Sequence, residues 1–266
     1  MIRDQILRKL SRDWKVGLNE IEKHYVLGWI LYGIVKSSIA KNLAFKGGTA
    51  LSKIYFPSDW RLSEDLDFSI LGETEWDEII KSLENEVPSI VQTESGMVLR
   101  QKEDPHTNAG YLQYKIGYIG PIGRGIAKIE VTREKFVGYV VTGEVKNIPS
   151  EFDYPKFSVN AYSLETIMSE KIRAIMERGY LRDYYDVWRL LKEKKFEKQK
   201  VLDMFKEKCK VKGIVFSNVE QFFPEGIVEK LRPHIDTGLV RLSREPLPDL
   251  DIMIKETRDL LKKLLQ

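Results

Sequence analysis

Residues 46–68, KGGTALSKIYFPSDWRLSEDLDF, set the tightest limits on how this chain folds. Residues 43–46 read as a short strand running into Gly47-Gly48. Residues 49–55 then read as one or two helical turns, stopped by Pro57. Residues 65–71 alternate as a strand. Asp65, Asp67 and Ser69 fall on one face, and Leu66, Phe68 and Ile70 on the other. Two carboxylates one residue apart on a strand point the same way and repel unless a counter-charge lies between them. A hard divalent cation such as Mg²⁺ (or Mn²⁺) is the natural one, because it takes oxygen ligands and bridges to phosphates. Glycines ahead of a helix start let backbone N–H groups approach an anion. Alone, the Asp-x-Asp pair also fits a solvated edge strand, and the glycines an ordinary strand-to-helix turn. Together, Gly47, Gly48 and Thr49 next to Asp65 and Asp67 read as a phosphate cradle beside a metal site.

Such a site needs a third carboxylate from a neighbouring strand. Residues 97–103, 110–119 and 125–135 read as three further strands. The last carries Glu130 on its polar face, opposite Ala127, Ile129 and Val131. Glu130 is the candidate, with an exposed acid alternating with Lys128 as the plainer alternative. Upstream, residues 1–16 and 19–41 read as helices. The second is apolar on more than one face and is expected to be buried. Residues 75–86 read as a helix closed by Pro88, and residues 136–160 as irregular with short strands at best.

Near residue 160 the pattern turns helical, with helices expected over 164–178, 182–192 and 251–265 and a broken stretch over 224–249. Lys171 falls on the apolar stripe of its helix, where a lysine either snorkels to the surface or faces a polar cleft. Asp183 and Asp186 border the next apolar stripe, one turn apart; local ion pairs with Arg182 or Arg189 are the simpler account. A lysine and two aspartates intruding on consecutive stripes favour a shared polar cleft. Residues 189–212 hold ten basic residues against four acids, a surface able to follow a nucleic-acid backbone or simply a solvated helix face.

A net charge of +3 does not by itself mark a nucleic-acid binder. The single cysteine, Cys209, excludes an internal disulfide framework, and the three histidines have no zinc-ligand spacing. The start, MIRDQILRKLSRDW, has no secretory core. The apolar run over residues 25–35 is too short to span a bilayer. A cytoplasmic protein without a membrane segment is expected. No Walker A, Gly-x-Ser-x-Gly or Gly-x-Gly-x-x-Gly motif is present.

FKGGTALSKIYF followed by RLSEDLDF resembles the signature of the AbiEii/AbiGii-type nucleotidyltransferases. These are the toxin half of type IV toxin–antitoxin and abortive-infection systems, within the polymerase-β-like superfamily. The likeness extends to IEKHYVLGWIL, to KIE at residues 128–130 and to SEKIRAIMERGYLRDYYDVWRL, roughly residues 20–190. It implies an α+β fold: a polymerase-β-like mixed sheet with flanking helices, followed by a mostly helical C-terminal half. Residues 1–160 would form the nucleotidyltransferase domain with its N-terminal helices, and 161–266 a helical domain completing the nucleotide cleft. The resemblance assigns Asp65, Asp67 and Glu130 to metal and catalysis. It assigns Gly47, Gly48 and Thr49 to the nucleotide phosphates, with Ser63 beside the triphosphate and Lys46 and Arg61 near it. Lys171 with Asp183 or Asp186 would complete the nucleotide pocket. Two departures stand out: Thr49 follows Gly48 where the wider superfamily has serine, and Glu130 replaces the more usual aspartate. The implied activity is metal-dependent transfer of NMP from an NTP to an acceptor, foremost the 3′ end of tRNA. A winged-helix antitoxin is the implied partner. Nucleotidylation of a protein or small molecule is the alternative within the enzyme class, and a non-catalytic nucleotide-binding partner module the alternative outside it.

Overall fold

Strand pairing decides where the carboxylates lie. The computed structural model describes residues 1–56, 60–146 and 149–265, so Pro57, expected to stop the helical turn, lies outside the described residues. In chain order the first helices are α1 (Asp4–Trp14) and α2 (Leu18–Lys36). Then come β1 (Leu43–Lys46), α3 (Gly47–Ala50), which runs into a wide π turn over Leu51–Tyr55, and β2 (Asp65–Ile70). They are followed by α4 (Trp76–Lys81), α5 (Val87–Ser95), β3 (Val98–Gln101), β4 (His106–Asn108), β5 (Tyr111–Ile119), β6 (Arg124–Thr132), β7 (Val140–Val145) and β8 (Phe157–Tyr162). The last helices are α6 (Leu164–Glu177), α7 (Leu181–Glu193), α8 (Lys198–Val211), α9 (Ile227–Leu231), α10 (Ile235–Gly238) and α11 (Leu250–Leu265).

The strands form one mixed sheet in the order β3-β5-β6-β2-β1-β8-β7, with β4 added to β5. β1 runs antiparallel to β2 and parallel to β8, and β2 runs parallel to β6. The α+β class is as expected. Period-two alternation gives the sheet one apolar face, built from Leu66, Phe68, Leu112, Tyr114, Ile129 and Val131, all at most 1% exposed. α2 packs against α1, α5, β2 and β6. Its residues are apolar nearly all round, as a helix enclosed by its neighbours requires. Tyr25 and Trp29 donate to the carboxylate of Asp153 at 2.7 and 3.3 Å, and Gly28 lets the ring of Tyr154 lie directly on the helix backbone.

Three expectations need correction, and one strand went unread. The second helix ends at Lys36, not 41. Ser37 leaves the helix in extended conformation, and the Glu86 carboxylate accepts from both the N–H and the hydroxyl of Ser38. Pro88 does not close a helix. A π turn over Ser82–Glu86 sets Pro88 in the first turn of α5, where a missing N–H costs nothing. Residues 136–160 hold all of the six-residue strand β7 and the start of β8, which runs to Tyr162. The polar strand β4 has no apolar residue to announce it.

The chain divides into two compact units. One comprises Met1–Phe136 with Val140–Ala161, and the other Val137–Tyr139 with Tyr162–Gln266. In the second, Ser163 caps α6 by accepting from the Thr166 N–H, and Gly179 ends the following turn at φ +57°. α6 packs on α7 and α8, and α7 on α11. No helix among the described residues is long and apolar enough to cross a membrane.

Candidate functional site

In the first unit the register draws a row of polar residues across four strands. Lys46 on β1 pairs with Asp67 on β2, Asp67 with Glu130 on β6, and Glu130 with Gln113 on β5. The next row joins Asp65, Lys128 and Lys115. Asp65, Asp67 and Glu130 therefore share the face opposite the apolar core.

The turn after β1 supplies the second component. Gly47 has φ +75°, and a Cβ there would lie 2.3 Å from Oδ2 of Asp67. A Cβ on Gly48 would meet the Arg61 guanidinium at 3.0 Å and the Ser63 hydroxyl at 3.2 Å. The bare backbone of the turn is thus enclosed by Asp67, Arg61 and Ser63. Arg61 is buried and donates to the Leu62 carbonyl. Thr49 is fully buried, and its hydroxyl donates to the backbone carbonyl of Asp65. It ties the turn to the aspartate strand. Gly47→Ala is expected to lower transfer by about two orders of magnitude, since a carboxylate displaced by about 1 Å costs that much. The melting temperature should drop by only a few degrees, from a left-handed cost of about 1–2 kcal/mol. Full activity in this variant would contradict the cradle.

Lys128, read in the sequence as alternating with Glu130 and as part of the KIE resemblance, is central. Its ammonium lies 2.8 Å from Glu130 and 3.5 Å from Asp65. Burial disfavours its charge, but the two carboxylates outweigh burial and push its pKa up to about 12. Burial also raises Glu130, yet Lys128, Tyr111 and Gln113 hydrogen-bond its carboxylate and hold it below the ordinary glutamate value. Asp65 is raised, first by burial and then by Glu130 and Glu64, with Lys128 opposing. The convergence of Lys128, Tyr111 and Gln113 escaped sequence reading because it depends on strand register.

These residues fit a divalent cation. Hard oxygen donors lie in register on adjacent strands, and a positive group already sits between Asp65 and Glu130. Among the described residues no three His, Cys, Asp or Glu side chains form a ready-made metal cage. The fit is therefore to an ion that adds substrate phosphate and water to its carboxylate ligands, as Mg²⁺ does.

In the second unit Lys171, Asp183 and Asp186 do converge. The Lys171 ammonium lies 3.1 Å from Asp183 and 2.9 Å from Asp186, whose side chain is fully buried. Arg178 adds two bonds to Asp183, at 2.8 and 3.0 Å. Burial alone would raise the Asp183 carboxyl, but Lys171 and Arg178 outweigh it and hold it down to about 2. Arg182 donates to the Gly238 carbonyl and Arg189 to Glu193. Part of the basic run over 189–212 is engaged. Arg189 is buried on Glu193 and Tyr185, Lys192 pairs with Glu256, Lys200 with Glu197, and buried Lys208 approaches Glu170.

Comparison with known proteins adds to this geometry. The chain is similar in structure to MenT4, a nucleotidyltransferase toxin from Mycobacterium tuberculosis H37Rv. The TM-score is 0.67 at 16% identity, covering 100% of this chain and 89% of that one. It is also similar to JHP933 from Helicobacter pylori, with a TM-score of 0.53 at 16% identity over 94% of each chain. At that identity the likeness is one of fold. No curated protein matches the chain in sequence. The family model for the nucleotidyl transferase AbiEii toxin of type IV toxin–antitoxin systems matches residues 29–263. The chain belongs to the AbiEii nucleotidyltransferase toxin family.

Proposed function

We propose that the enzyme transfers NMP from an NTP to the 3′ end of an RNA, with tRNA the foremost acceptor, in a metal-dependent reaction on the polar face of the sheet. The observation that carries this reading is the register Lys46–Asp67–Glu130 beside the Gly47-Gly48 turn. It sets an anion cradle against acidic groups on one surface. Asp65, Asp67 and Glu130 would hold Mg²⁺ or Mn²⁺. Bound there, the ion supplies positive charge to the α-phosphate and to the departing pyrophosphate. The backbone of Gly47, Gly48 and Thr49 binds phosphate oxygens, and Arg61, Ser63 and Lys46 orient them. Lys128 keeps Asp65 and Glu130 ionised and aligned. For Lys171, Asp183 and Asp186 we propose nucleotide binding, on residue type and burial. An antitoxin partner follows from the family. We propose a winged-helix protein in that role, and a cytoplasmic location, where NTPs and tRNA are found.

The test uses α-labelled NTPs, Mg²⁺ or Mn²⁺, and either total RNA or total protein. Label should enter RNA, be lost on chelation, and be lost when periodate has destroyed the RNA 3′ cis-diol. Label on protein alone, or undiminished labelling of oxidised RNA, would overturn the acceptor assignment.

A further inference from the structure

The polar face of the sheet does not end at Lys128. Two residues further along β6, Ile126 pairs with Gly117 on β5, which pairs with Arg100 on β3; two further still, Arg124 pairs with Ile119. Alternation keeps Arg100, Ile119, Arg124 and Ile126 on the same face as Lys128. At about 3.3 Å per residue, the side chain of Arg124 lies roughly 13 Å from that of Lys128 along the strand.

Here the sheet opens into a groove of about 740 Å³. Lys23, Arg100, Lys102 and Arg124 line it. None of the four makes an ion pair or side-chain hydrogen bond among the described residues, unlike Arg189, Lys192, Lys200 and Lys208. Ile119 and Ile126 lie in it, each 42% exposed. One carboxylate, Glu22, lines the groove and is spent on structure. It is buried and accepts from the N–H groups of Ile122 and Gly123 at 2.7 and 3.1 Å, which fixes the β5–β6 turn to α2. A Cβ on Gly120 would strike it at 2.6 Å, so this wall is closely packed. Nearby Glu103 is neutralised by Lys115 at 2.9 Å.

Unpaired cations in a built groove attract a polyanion. The two exposed isoleucines favour a polyanion that also offers flat apolar surfaces, as nucleobases do and acidic side chains do not. The groove also continues the face that carries the proposed site, so a long acceptor reaching that site would lie along it. We propose that this groove binds the phosphate backbone of an RNA strand, with Ile119 and Ile126 against its bases. The proposal rests on the RNA-acceptor reading for its role in transfer, but the binding is measurable without transfer.

The experiment measures anisotropy of a fluorescein-labelled, unstructured 20-nucleotide RNA with the intact protein, without NTP or metal, across a salt series. The Arg100→Gln/Lys102→Gln/Arg124→Gln variant is compared with Lys195→Gln/Lys206→Gln/Lys210→Gln. Both lose the same charge at exposed positions, and the second removes it from the basic run of the second unit. Loss of three phosphate contacts should lower the log–log salt slope by about 2 and the affinity at least tenfold at low salt. The control should stay within about twofold, and melting temperatures should not move, because no ion pair is removed. Equal weakening by both variants, or none by the groove variant, would overturn the proposal. So would competition by polyglutamate as strong as by unlabelled RNA. If the wild type binds RNA through the groove yet consumes no NTP with any metal, the transfer reading fails while the groove stands.

Discussion

Asp67→Asn is expected to lower nucleotidyl transfer by at least about 10³-fold, the several kcal/mol carried by a metal-linked charge at a phosphoryl group. The fold should survive. Asp67 is half-buried on the polar face, in register with Glu130 and one residue from Asp65, while the core lies on the other face through Leu66 and Phe68. Asparagine keeps the shape and removes one of the clustered negative charges, so the melting temperature should stay within about 2 °C or rise slightly. Transfer rates and thermal melting on the same sample check both halves. Retained activity would move the chemistry away from this strand.

Lys171→Met carries the largest stability change we expect. Lys171 is 9% exposed and serves two buried carboxylates. Arg178 still compensates Asp183, but Asp186 loses the ammonium 2.9 Å away. Breaking a buried pair by removing one partner costs about 3–5 kcal/mol, a fall in melting temperature of roughly 10 °C. Adding Asp186→Leu should recover most of that loss, because an apolar replacement of both partners is often neutral. The cluster also sets an acid limit. Asp183 is depressed in the folded state, so it contributes stability that is fully present above the unfolded aspartate value. That contribution is lost as pH falls from about 4 toward about 2. Melting followed from pH 6 to pH 2 should show this loss in the wild type and not in an Asp183→Asn variant. Restored stability in the double variant without restored NTP binding would give the cluster a role in binding the nucleotide. Restored binding would make it structural.

These residues illustrate what a sequence can disclose. Asp65 and Asp67 were legible because period-two alternation places them on one face whatever the sheet order. Lys171, Asp183 and Asp186 were legible as anomalies, since charges on apolar stripes need partners, and here they partner one another. Lys128, Gln113 and Tyr111 were hidden, because they meet Asp65 and Glu130 only after β2 pairs with β6 and β6 with β5. Charge density misled. Of the dense run over 189–212, Arg189, Lys192, Lys200 and Lys208 are held in ion pairs. Arg100, Lys102 and Arg124 are gathered by the pairing of β3, β5 and β6, and Lys23 on α2 joins them in one groove. β7 and β8 were obscured by the prolines and glycines around them, and Pro88 by a π turn that no periodicity reveals.

In the proposed reaction Asp65, Asp67 and Glu130 hold a divalent ion together with nucleotide phosphates. Electron paramagnetic resonance of free Mn²⁺, titrated with the protein and a non-hydrolysable NTP, tests it most directly. The wild type should deplete the free-ion signal beyond what the nucleotide alone binds, and Asp67→Asn should not. Equal depletion by both proteins would place the ion away from Asp67.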